Sequence, residues 1–499
     1  MNLIFEPQIK LNPNNMKCPP RRARQILAML AAGALFFAQE GIHAMEMNMA
    51  VPFSSKMSGP AVPELAFYSK QSDNLLFPGD ADVEIRCRAG LRCVGLKYEV
   101  RRNTFATPFL SGEAEALPGN IFLIHIPAAK LPYAGFYDVW TDLDAGEAKP
   151  IRSACTFGWR VDELKVRDSR PADFDAFWAK GKAELAKIPL DPSVGPFTSF
   201  QGKEIDAYNL ASAGIPGDYD PTGHKTEAVE AAKVSFAGAE GTRVYGWLAK
   251  PIGSGPFPAM LVLPGAGFSA RPMPLEHARH GYLALDIQVH GQDVDLPGEY
   301  PKLPGYYDHF TFDPPEAYYY HHIYLNALQA LNYLASRPDV DPRRIVVVGG
   351  SQGGRLTVAM GALDSRVAAI VPAIAHHGNV PYTWWSDACN QAAKEAQKTG
   401  GVPDNGMSTE IPPLPPDTAE QKCLPYYDTM NFAPDVQCPV LMNSGLIDGV
   451  SPPTSVFAIY HRLGSADKTL IPLPGLGHDW SSEFDRRAWR WLDEELAKR

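Results

Sequence analysis

The sequence lacks three features, each of which would indicate a class of protein. It has no long run of basic residues after its first segment, and a net charge of −10 with a pI near 5.7 makes nucleic acid an unsuitable partner. Its cysteine and histidine spacings match no zinc site. Beyond residue 38, no segment is apolar enough to cross a membrane. We therefore expect a neutral ligand, no metal and no cofactor.

The N-terminal region has the pattern of an export signal. A cluster of basic residues precedes an apolar run over residues 26–38, which is too short to span a bilayer but has the length of a signal-peptide core. Cleavage near Ala44 would remove residues 1–44, and Met16 is an alternative start to Met1. A short membrane anchor is the alternative interpretation. We expect an exported protein, periplasmic or extracellular, with no membrane contact after cleavage.

Export would place the cysteines under oxidising conditions, where disulfides form. Once Cys18 leaves with the signal, six of the seven remain, namely Cys87, Cys93, Cys155, Cys389, Cys423 and Cys438. The first two flank a short turn and could bond each other, or either could bond the third. The fourth and fifth bracket a long loop, and a bond between them would stabilise the fold by about 3–4 kcal/mol. The last opens a predicted core strand and is expected to be a buried thiol.

Residues 45–162 are predicted to form a small, Ig-like antiparallel β-sandwich. From about residue 63 to residue 159, short segments alternate apolar and polar side chains, as in Val83, Ile85 and Cys87, with turn residues between them. A period of two is typical of strands with one buried face, and the regular spacing is typical of sandwiches. We find no cluster of catalytic side chains in this region.

Residues 163–499 alternate strands and helices, which predicts a mostly parallel sheet with helices on both faces. Short continuous apolar runs, such as residues 345–348, suit strands that are covered on both sides. An insertion around residues 384–424, rich in proline and glycine, interrupts the alternation. Long loops are usually functional or mobile, so we expect either a lid over the site or a solvated insertion.

Residues 344–360 carry the strongest signal in the sequence. An apolar strand runs into Gly-Gly-Ser-Gln-Gly-Gly and then at once into a helical pattern. Such an elbow lifts a serine hydroxyl above the end of a parallel strand, where an acyl substrate can reach it. Ser351, at the apex, is therefore the predicted nucleophile, and Gly349 and Gly353 leave room that a Cβ would fill. An ordinary turn with a surface serine is the alternative.

A serine hydroxyl needs a neighbouring base, and α/β-hydrolases supply the acid and the base later in the chain, in that order. Asp448 follows one predicted strand and His478 follows the next. We predict that His478 moves the proton of Ser351 while Asp448 orients the imidazole. The backbone N–H groups of Gln352 and Ala266 are expected to form the oxyanion hole. A capping aspartate and a surface histidine are the alternatives.

Long, ordered motifs from about residue 174 to residue 498 resemble a known family. They are "DFDAFWAKGKAELAKIPLDP", "RVYGWLAKP", "YYYHHIYLNALQALNYLASRPDVDPRRIVVVGGSQGG" and "PVLMNSGLIDGVSPPTSVFAIYHRL". With them the chain resembles the acetyl xylan esterase and cephalosporin C deacetylase family, carbohydrate esterase family 7. The resemblance implies an α/β-hydrolase fold, assembly into homo-oligomers, and a catalytic triad of Ser351, Asp448 and His478.

The sequence departs from this family pattern at three places. Where the family carries Arg-Gly-Gln, the chain has His290, Gly291 and Gln292, to which the resemblance assigns a supporting role. The family's His-Gly-Tyr in the oxyanion loop is Pro-Gly-Ala here, at residues 264–266, and the missing aromatic ring should reshape the acyl pocket. The family's final His-Glu pair is His-Asp here, at residues 478–479.

The predicted function is that of an exported serine esterase. It would remove small acyl groups, above all acetyl, from carbohydrate substrates such as acetylated xylan or xylo-oligosaccharides. One alternative is another acyl hydrolase, such as a glucuronoyl esterase, an esterase for larger acyl groups or a peptidase. The other is a non-catalytic glycan-binding protein that combines the sandwich with an inactive hydrolase fold.

Overall fold

The structure is a computed structural model, and it describes residues 65–90, 93–147, 149–213, 223–267, 270–295, 307 and 311–499. The predicted export signal therefore lies outside the described residues. The chain divides into two compact units, and the larger one contains residues 49–202 and 218–499. The described residues of the smaller unit lie in the helix Gly202–Ala213. Within the described part of the chain, no helix combines the length and the apolar character that a membrane span requires.

The N-terminal part of the larger unit is built from two β-sheets. Its strands are β1 (Leu65–Tyr68), β2 (Leu76–Phe77), β3 (Val83–Ala89), β4 (Gly95–Arg102), β5 (Leu110–Glu113), β6 (Glu115–Leu117), β7 (Ile121–Ile126), β8 (Gly135–Asp144) and β9 (Ile151–Trp159). One sheet has the order β1-β3-β7-β6 and the other has the order β2-β9-β8-β4-β5. All neighbours are antiparallel except β2 and β9.

The two sheets bury a shared core because alternate residues of each strand point inward. On β3, Val83, Ile85 and Cys87 are buried, as the sequence pattern predicts, and they join one apolar cluster with Phe157 of β9. The predicted antiparallel strands are therefore present. We propose that this sandwich ends near residue 162, as the sequence suggests, because β9 is its last strand.

The remainder of the larger unit is organised around a ten-stranded sheet. Its strands are β10 (Ser193–Val194), β11 (Thr198–Gln201), β12 (Ala228–Ala237), β13 (Arg243–Pro251), β14 (Phe257–Leu263), β15 (Leu283–Gln288), β16 (Val340–Gly350), β17 (Val367–Ala373), β18 (Val440–Gly445) and β19 (Lys468–Leu473). The order is β10-β12-β13-β15-β14-β16-β17-β18-β19, with β11 also paired to β12. The strands from β15 to β19 in this order are parallel, while those from β10 to β13 pair antiparallel.

The described residues form ten α-helices, and those of the larger unit cover both faces of this sheet. They are α1 (Phe174–Leu185), α2 (Gly202–Ala213), α3 (Leu275–Arg279), α4 (Tyr320–Ser336), α5 (Gln352–Leu363), α6 (Val380–Thr399), α7 (Ala419–Cys423), α8 (Thr429–Phe432), α9 (Pro453–Arg462) and α10 (Ser482–Ala497). Short 3₁₀ turns occur at Ala128–Lys130, Val161–Glu163, Ala239–Gly241, Pro315–Ala317, Leu424–Tyr426 and Ala433–Asp435. One apolar core lies between the sheet and α1, α4, α5 and α9, and a second lies under α10.

The parallel strands bring their carboxyl ends to one edge of the sheet. Leu263 at the end of β14 pairs with Gly349 of β16, and Gly350 pairs with Ala373 at the end of β17. Farther along the sheet, Gly445 at the end of β18 pairs with Leu473 at the end of β19. The loops after these five strands consequently meet at a single edge, where ligands bind in open α/β sheets.

The predicted disulfides are wrong for the described residues, since Cys87, Cys155, Cys389 and Cys423 are all thiols, which excludes each predicted pairing. Cys389 lies in a small aromatic cluster on α6, while Cys423 lies in the main core under the sheet, so the two sulfurs belong to different environments. Cys87 and Cys155 are buried in the sandwich, and burial raises the pKa of the Cys87 thiol to about 12. Cys438 is a thiol as predicted, but it is only partly buried.

The insertion around residues 384–424 is neither a free loop nor simply solvated. Its first part continues helix α6 to Thr399. Beyond the helix, the buried guanidinium of Arg102 in the sandwich donates hydrogen bonds to the carbonyl oxygens of Gly406, Thr409 and Glu410, at 2.5, 2.6 and 2.9 Å. The insertion is therefore fastened to the sandwich, a contact that the sequence pattern did not predict.

Candidate active site

Ser351 stands at the apex of the strand–turn–helix elbow between β16 and α5. Its backbone has φ 57° and ψ −118°, a conformation that non-glycine residues rarely adopt and that marks a constrained turn. The Ser351 N–H donates to the carbonyl oxygen of Ala373 at 3.0 Å, which ties the elbow to the end of β17. A Cβ on Gly353 would lie 2.2 Å from the carbonyl oxygen of Leu263, so the close approach of α5 to β14 requires glycine there.

The structure brings Ser351, His478 and Asp448 into one hydrogen-bonded chain. His478 Nε2 lies 2.8 Å from Ser351 Oγ. His478 Nδ1 lies 2.9 Å from Asp448 Oδ2 and 3.1 Å from Oδ1. With a proton on Nδ1 donated to the carboxylate, Nε2 is free to accept the serine proton. The Asp448 side chain is fully buried, whereas a quarter of the His478 side chain is exposed, so the imidazole faces the open side of the site.

Asp448 is oriented by its own turn after β18. Its Oδ1 atom accepts hydrogen bonds from the backbone N–H groups of Val450 and Ser451, both at 2.8 Å. The Oδ2 atom makes the shorter contact with His478. These bonds fix the plane of the carboxylate, which in turn fixes the ring of the histidine.

The two predicted oxyanion donors lie in segments that run beside each other. A Cβ on Gly265 would be 3.9 Å from the carbonyl oxygen of Gly350, so the loop after β14 passes next to the elbow. The Gln352 side chain donates to the carbonyl oxygen of Gly265 at 3.3 Å. Ala266 is exposed, and its small side chain leaves the front of the loop open.

Two tyrosines that the sequence analysis missed hold Gln352 from the other side. The buried hydroxyls of Tyr307 and Tyr320 both donate to Gln352 Oε1, at 2.6 and 2.7 Å. Tyr307 also accepts a hydrogen bond from the backbone N–H of Gly267 at 3.1 Å. Its hydroxyl therefore links the loop after β14 to the residue that follows the serine. The tyrosine-rich stretches around both positions are a sequence signal, but their partners are not readable from it.

His290, Gly291 and Gln292, predicted to be supporting residues, follow strand β15. Burial, with a smaller contribution from His322, lowers the pKa of His290 to about 3, so the ring is neutral near pH 7. The ring contacts Tyr307, with centroids 4.8 Å apart, and its Nδ1 lies 3.2 Å from the Tyr319 hydroxyl. Gly291 has φ +76°, which suits glycine. His290 thus packs against the tyrosine that holds the loop, while Gln292 is only half-buried.

A buried cation lies one turn into the helix behind Ser351. Arg355 is buried, donates from Nε to the Tyr324 hydroxyl at 2.6 Å and lies 4.0 Å from the centre of the Tyr320 ring. Burial opposes its charge, yet the tyrosine oxygens around it leave the pKa of Arg355 above its usual value. Burial also lowers the pKa of the neighbouring His376 to about 3, with Arg355 and His478 adding to the effect. No pattern in the sequence indicated this buried cation.

Within the described residues, one group could present ligands to a metal, and it lies outside this site. Donor atoms of His224, Glu276 and His280 are within 4.8 Å of one another. His224 Nε2 is hydrogen-bonded to Glu276, and Arg279 lies 3.7 Å from the other oxygen of the same carboxylate. Because Glu276 already has these basic partners, a buried ion-pair cluster accounts for the arrangement.

Comparison with known proteins gives concordant matches. A family model described as acetyl xylan esterase (AXE1) matches residues 215–495, which is more than half of the chain. The acetyl esterase Axe7A of Xylanibacter ruminicola is 27% identical over 429 residues, covering 83% of this chain and 87% of that protein.

Solved structures of two acetyl xylan esterases are also similar. Acetyl xylan esterase 1 from a Thermoanaerobacterium species is 23% identical with a TM-score of 0.51, over 66% of this chain and 95% of that one. The acetyl xylan esterase of a Paenibacillus species is 26% identical with a TM-score of 0.49, over 66% of this chain and 97% of that one. The first likeness concerns the fold, and the predicted α/β-hydrolase fold behind an antiparallel N-terminal sheet domain is confirmed.

Proposed function

The chain belongs to the acetyl xylan esterase family, and from that premise we propose that it is a serine esterase acting on small acyl esters of carbohydrates. Acetylated xylan and xylo-oligosaccharides are the substrates we favour, because the relatives it resembles are named for acetyl and acetyl xylan ester hydrolysis. The observation that carries the proposal is the hydrogen-bonded chain from Ser351 Oγ through His478 to Asp448. The esterase needs no cofactor for this chemistry.

In the proposed first half-reaction, Ser351 Oγ attacks the acyl carbon while His478 Nε2 takes the hydroxyl proton. The 2.8 Å separation of the two atoms is within the range for such a transfer. The tetrahedral intermediate collapses, its bond to the sugar oxygen breaks, and His478 returns the proton to the departing alcohol. An acetyl group is left on the serine.

In the second half-reaction, a water molecule attacks this acetyl-enzyme. His478 takes one proton from the water as its oxygen bonds to the acyl carbon. It then gives that proton to Ser351 Oγ as the bond between Oγ and the acyl carbon breaks, and acetic acid leaves and ionises in water. Asp448 holds the imidazole in the Nδ1-protonated tautomer and stabilises its cation at both steps. The burial of this carboxylate and its two backbone hydrogen bonds support that role.

The backbone N–H groups of Gln352 and Ala266 are the proposed donors to the oxyanion. Removing one such donor typically costs about 10²–10³-fold in kcat, so their positions matter as much as the triad. The hydrogen bonds that Tyr307 makes with Gly267 and with the Gln352 side chain support this assignment, because they tie the two donor segments together.

The small side chain of Ala266 bears on the acyl group that the site accepts. We propose that the site prefers acetyl groups. We also propose that its acyl pocket is wider than it would be with an aromatic residue at position 266. Initial rates on acetyl, butyryl and aryl esters measure the preference. A preference for butyryl or aryl esters would favour the larger-acyl alternative instead.

The first experiment replaces the nucleophile. Ser351→Ala should lower the hydrolysis of p-nitrophenyl acetate by roughly 10⁴-fold or more, since the rest of the triad cannot act without it. A fluorophosphonate probe should label Ser351 in the unaltered protein and not in the variant. Near-normal turnover by the variant, or an unlabelled serine in peptide mass analysis, would contradict the proposal.

The natural substrate is tested by release of acetate from a panel of acetylated polysaccharides, with the Ser351→Ala protein as the blank. Export is a separate proposal that rests on the N-terminal sequence pattern alone. The mass of the mature protein recovered from the producing cells should correspond to cleavage near Ala44. Recovery of an uncleaved chain would contradict the export signal.

A further inference from the structure

The turn that carries Asp448 is held from the N-terminal sandwich at both of its ends. Leu446, two residues before Asp448, is fully buried in the apolar cluster that contains the sandwich core. Beyond the turn, Phe457 of α9 joins the same cluster, and its ring centroid lies 4.7 Å from that of Phe136 on β8. The sandwich therefore packs directly against the segment that presents the proposed catalytic acid.

One buried polar contact connects the two regions between these apolar ones. Thr454 Oγ1, in the first turn of α9, donates to Asn103 Oδ1 at 2.9 Å. Asn103 follows the end of β4 and is 351 residues earlier in the chain. Both side chains are buried, so neither can exchange this partner for water without moving.

Asn103 is itself rigidly placed, so it can act as a fixed point. Its Nδ2 donates to Asp138 Oδ1 at 2.9 Å, and its backbone N–H donates to the carbonyl oxygen of Phe136 at 2.9 Å. Its backbone carbonyl accepts a hydrogen bond from the Tyr382 hydroxyl of α6 at 2.7 Å. With these contacts, Asn103 has little freedom to follow Thr454 if the turn shifts.

Hydrogen bonds connect this turn to both Asp448 and the loop that carries His478. Asp448 Oδ1 is bonded to the N–H groups of Val450 and Ser451, within the segment that leads to Thr454. On the other side of Asp448, the Ile447 N–H donates to the carbonyl oxygen of Leu476 at 3.2 Å, in the loop that carries His478. A shift at Thr454 would therefore alter the geometry between Asp448 and His478.

We propose that Asn103 is a positioning residue for the esterase site: through Thr454, it fixes the turn that carries Asp448. The sandwich is then an integral part of the catalytic unit and not a detachable appendage. This inference rests on the proposed function, since it assigns Asn103 an effect on the Ser351 reaction. A misplacement of about 1 Å far from the chemistry can cost about 10²-fold in rate, so a single buried contact is sufficient for a measurable effect.

The test uses two substitutions at residue 454 of the full-length protein. Thr454→Val removes the hydroxyl and keeps the shape, whereas Thr454→Ser keeps the hydroxyl. We expect Thr454→Val to lower kcat for p-nitrophenyl acetate about tenfold with KM unchanged. Thr454→Ser should retain most of the unaltered kcat. Combining Thr454→Val with Asn103→Ala should lower kcat by much less than the product of the two single losses, because both substitutions remove the same contact between residues 103 and 454.

A matched control separates positioning from simple destabilisation. Tyr98→Phe removes a hydrogen bond to the carbonyl oxygen of His125 inside the sandwich and leaves the Asn103–Thr454 contact intact. If this control has the unaltered kcat while Thr454→Val is slow at a temperature where both are folded, the proposal holds. Equal kcat losses in the two variants, an unaltered kcat in Thr454→Val, or fully multiplicative effects with Asn103→Ala would each overturn it.

Failure of this inference and failure of the proposed function give different results. If Ser351→Ala abolishes turnover but Thr454→Val leaves kcat unchanged, the esterase assignment stands and the role of Asn103 is rejected. If Ser351→Ala retains turnover, the proposed function itself is rejected, and the position of Asp448 has no bearing on the observed rate.

Discussion

The elbow at Ser351 and the turn at Asp448 lie at the same edge of the sheet, yet different parts of the chain support them. The elbow is shaped by a short motif in which Gly353 fits against Leu263 and the Ser351 N–H bonds to Ala373. The Asp448 turn is held by the sandwich, and its polar contact there joins Thr454 to Asn103, 351 residues earlier in the chain. A motif therefore identifies the proposed nucleophile, but it does not identify what holds the proposed acid.

The largest effect is expected where the elbow tolerates no side chain. In Gly353→Ala, the new Cβ would meet the Leu263 carbonyl oxygen at 2.2 Å, and that oxygen belongs to a central strand that cannot retreat. We expect a loss of about 4 kcal/mol in the free energy of unfolding, or failure to accumulate as soluble protein. Urea unfolding followed by tryptophan fluorescence measures the change.

The matched control lies in the same helix α5. A Cβ on Gly361 would meet only side-chain atoms, Ile370 at 3.1 Å and Cys438 Sγ at 3.6 Å. These can adjust, and alanine also favours a helix, so Gly361→Ala should change the free energy of unfolding by no more than about 1 kcal/mol. Similar losses in the two variants would contradict a steric requirement specific to the elbow.

The second-largest effect is expected from the contact between the sandwich and the insertion. Arg102→Ala leaves the carbonyl oxygens of Gly406, Thr409 and Glu410 without their donor and removes a guanidinium that lies 4.7 Å from the centre of the Trp385 ring. We expect the free energy of unfolding to fall by about 3 kcal/mol, because these are charge-assisted bonds in a buried setting. Urea unfolding, read by circular dichroism, measures it.

An exposed arginine of the same sandwich provides the control for this substitution. Half of the Arg152 side chain is exposed, and its nearest carboxylate oxygens are 3.9 Å away. Arg152→Ala should therefore cost about 0.5 kcal/mol or less. If Arg102→Ala were as mild as this control, the insertion would not depend on the sandwich in the way described.

The smallest effect is expected in the pH dependence of stability, through His290 near the elbow. The pKa of His290 is about 3 in the folded protein, below the ordinary histidine value of about 6.5, so the unfolded chain binds the proton first. Its stabilising contribution is present above pH 6.5 and is lost as the pH falls from 6.5 towards 3. At pH 5 this loss amounts to about 2 kcal/mol relative to pH 7.

His290→Gln cannot titrate, so the difference in unfolding free energy between pH 7 and pH 5 should be smaller by about 2 kcal/mol in this variant. Thermal and urea unfolding at the two pH values measure that difference. The same pH dependence in both proteins would show that His290 does not titrate as its burial next to Tyr307 implies.

The sequence was sufficient for features that a local pattern encodes. The β16–α5 elbow and the parallel strands follow from apolar periodicity and glycine placement, and the predicted family is confirmed by the family match. Asp448 and His478 were predicted because each follows a strand, and the structure places them in hydrogen-bond distance of one another. The catalytic roles of these residues stay a prediction until the variants are assayed.

Contacts between distant segments were out of reach of the same reasoning. The hydroxyl of Tyr307 bonds to Gln352, which is 45 residues away in the sequence, and Arg102 bonds to the insertion, which is more than 300 residues away. Cysteine spacing led to a wrong disulfide prediction for the same reason. Cys389 and Cys423 bracket one segment of the sequence, but their sulfurs lie in different apolar clusters.

The shared burial of Leu446 and Phe457 in the apolar cluster that contains the sandwich core has a consequence for attempts to make a minimal enzyme. A version trimmed to begin at residue 163 would expose both side chains to solvent. It would also expose the aromatic rings of α6 that contact Arg102, and together these side chains would form an apolar surface patch. Such a truncation invites aggregation, so engineering efforts on this scaffold gain more from redesigning the open front of the site near Ala266 than from shortening the chain.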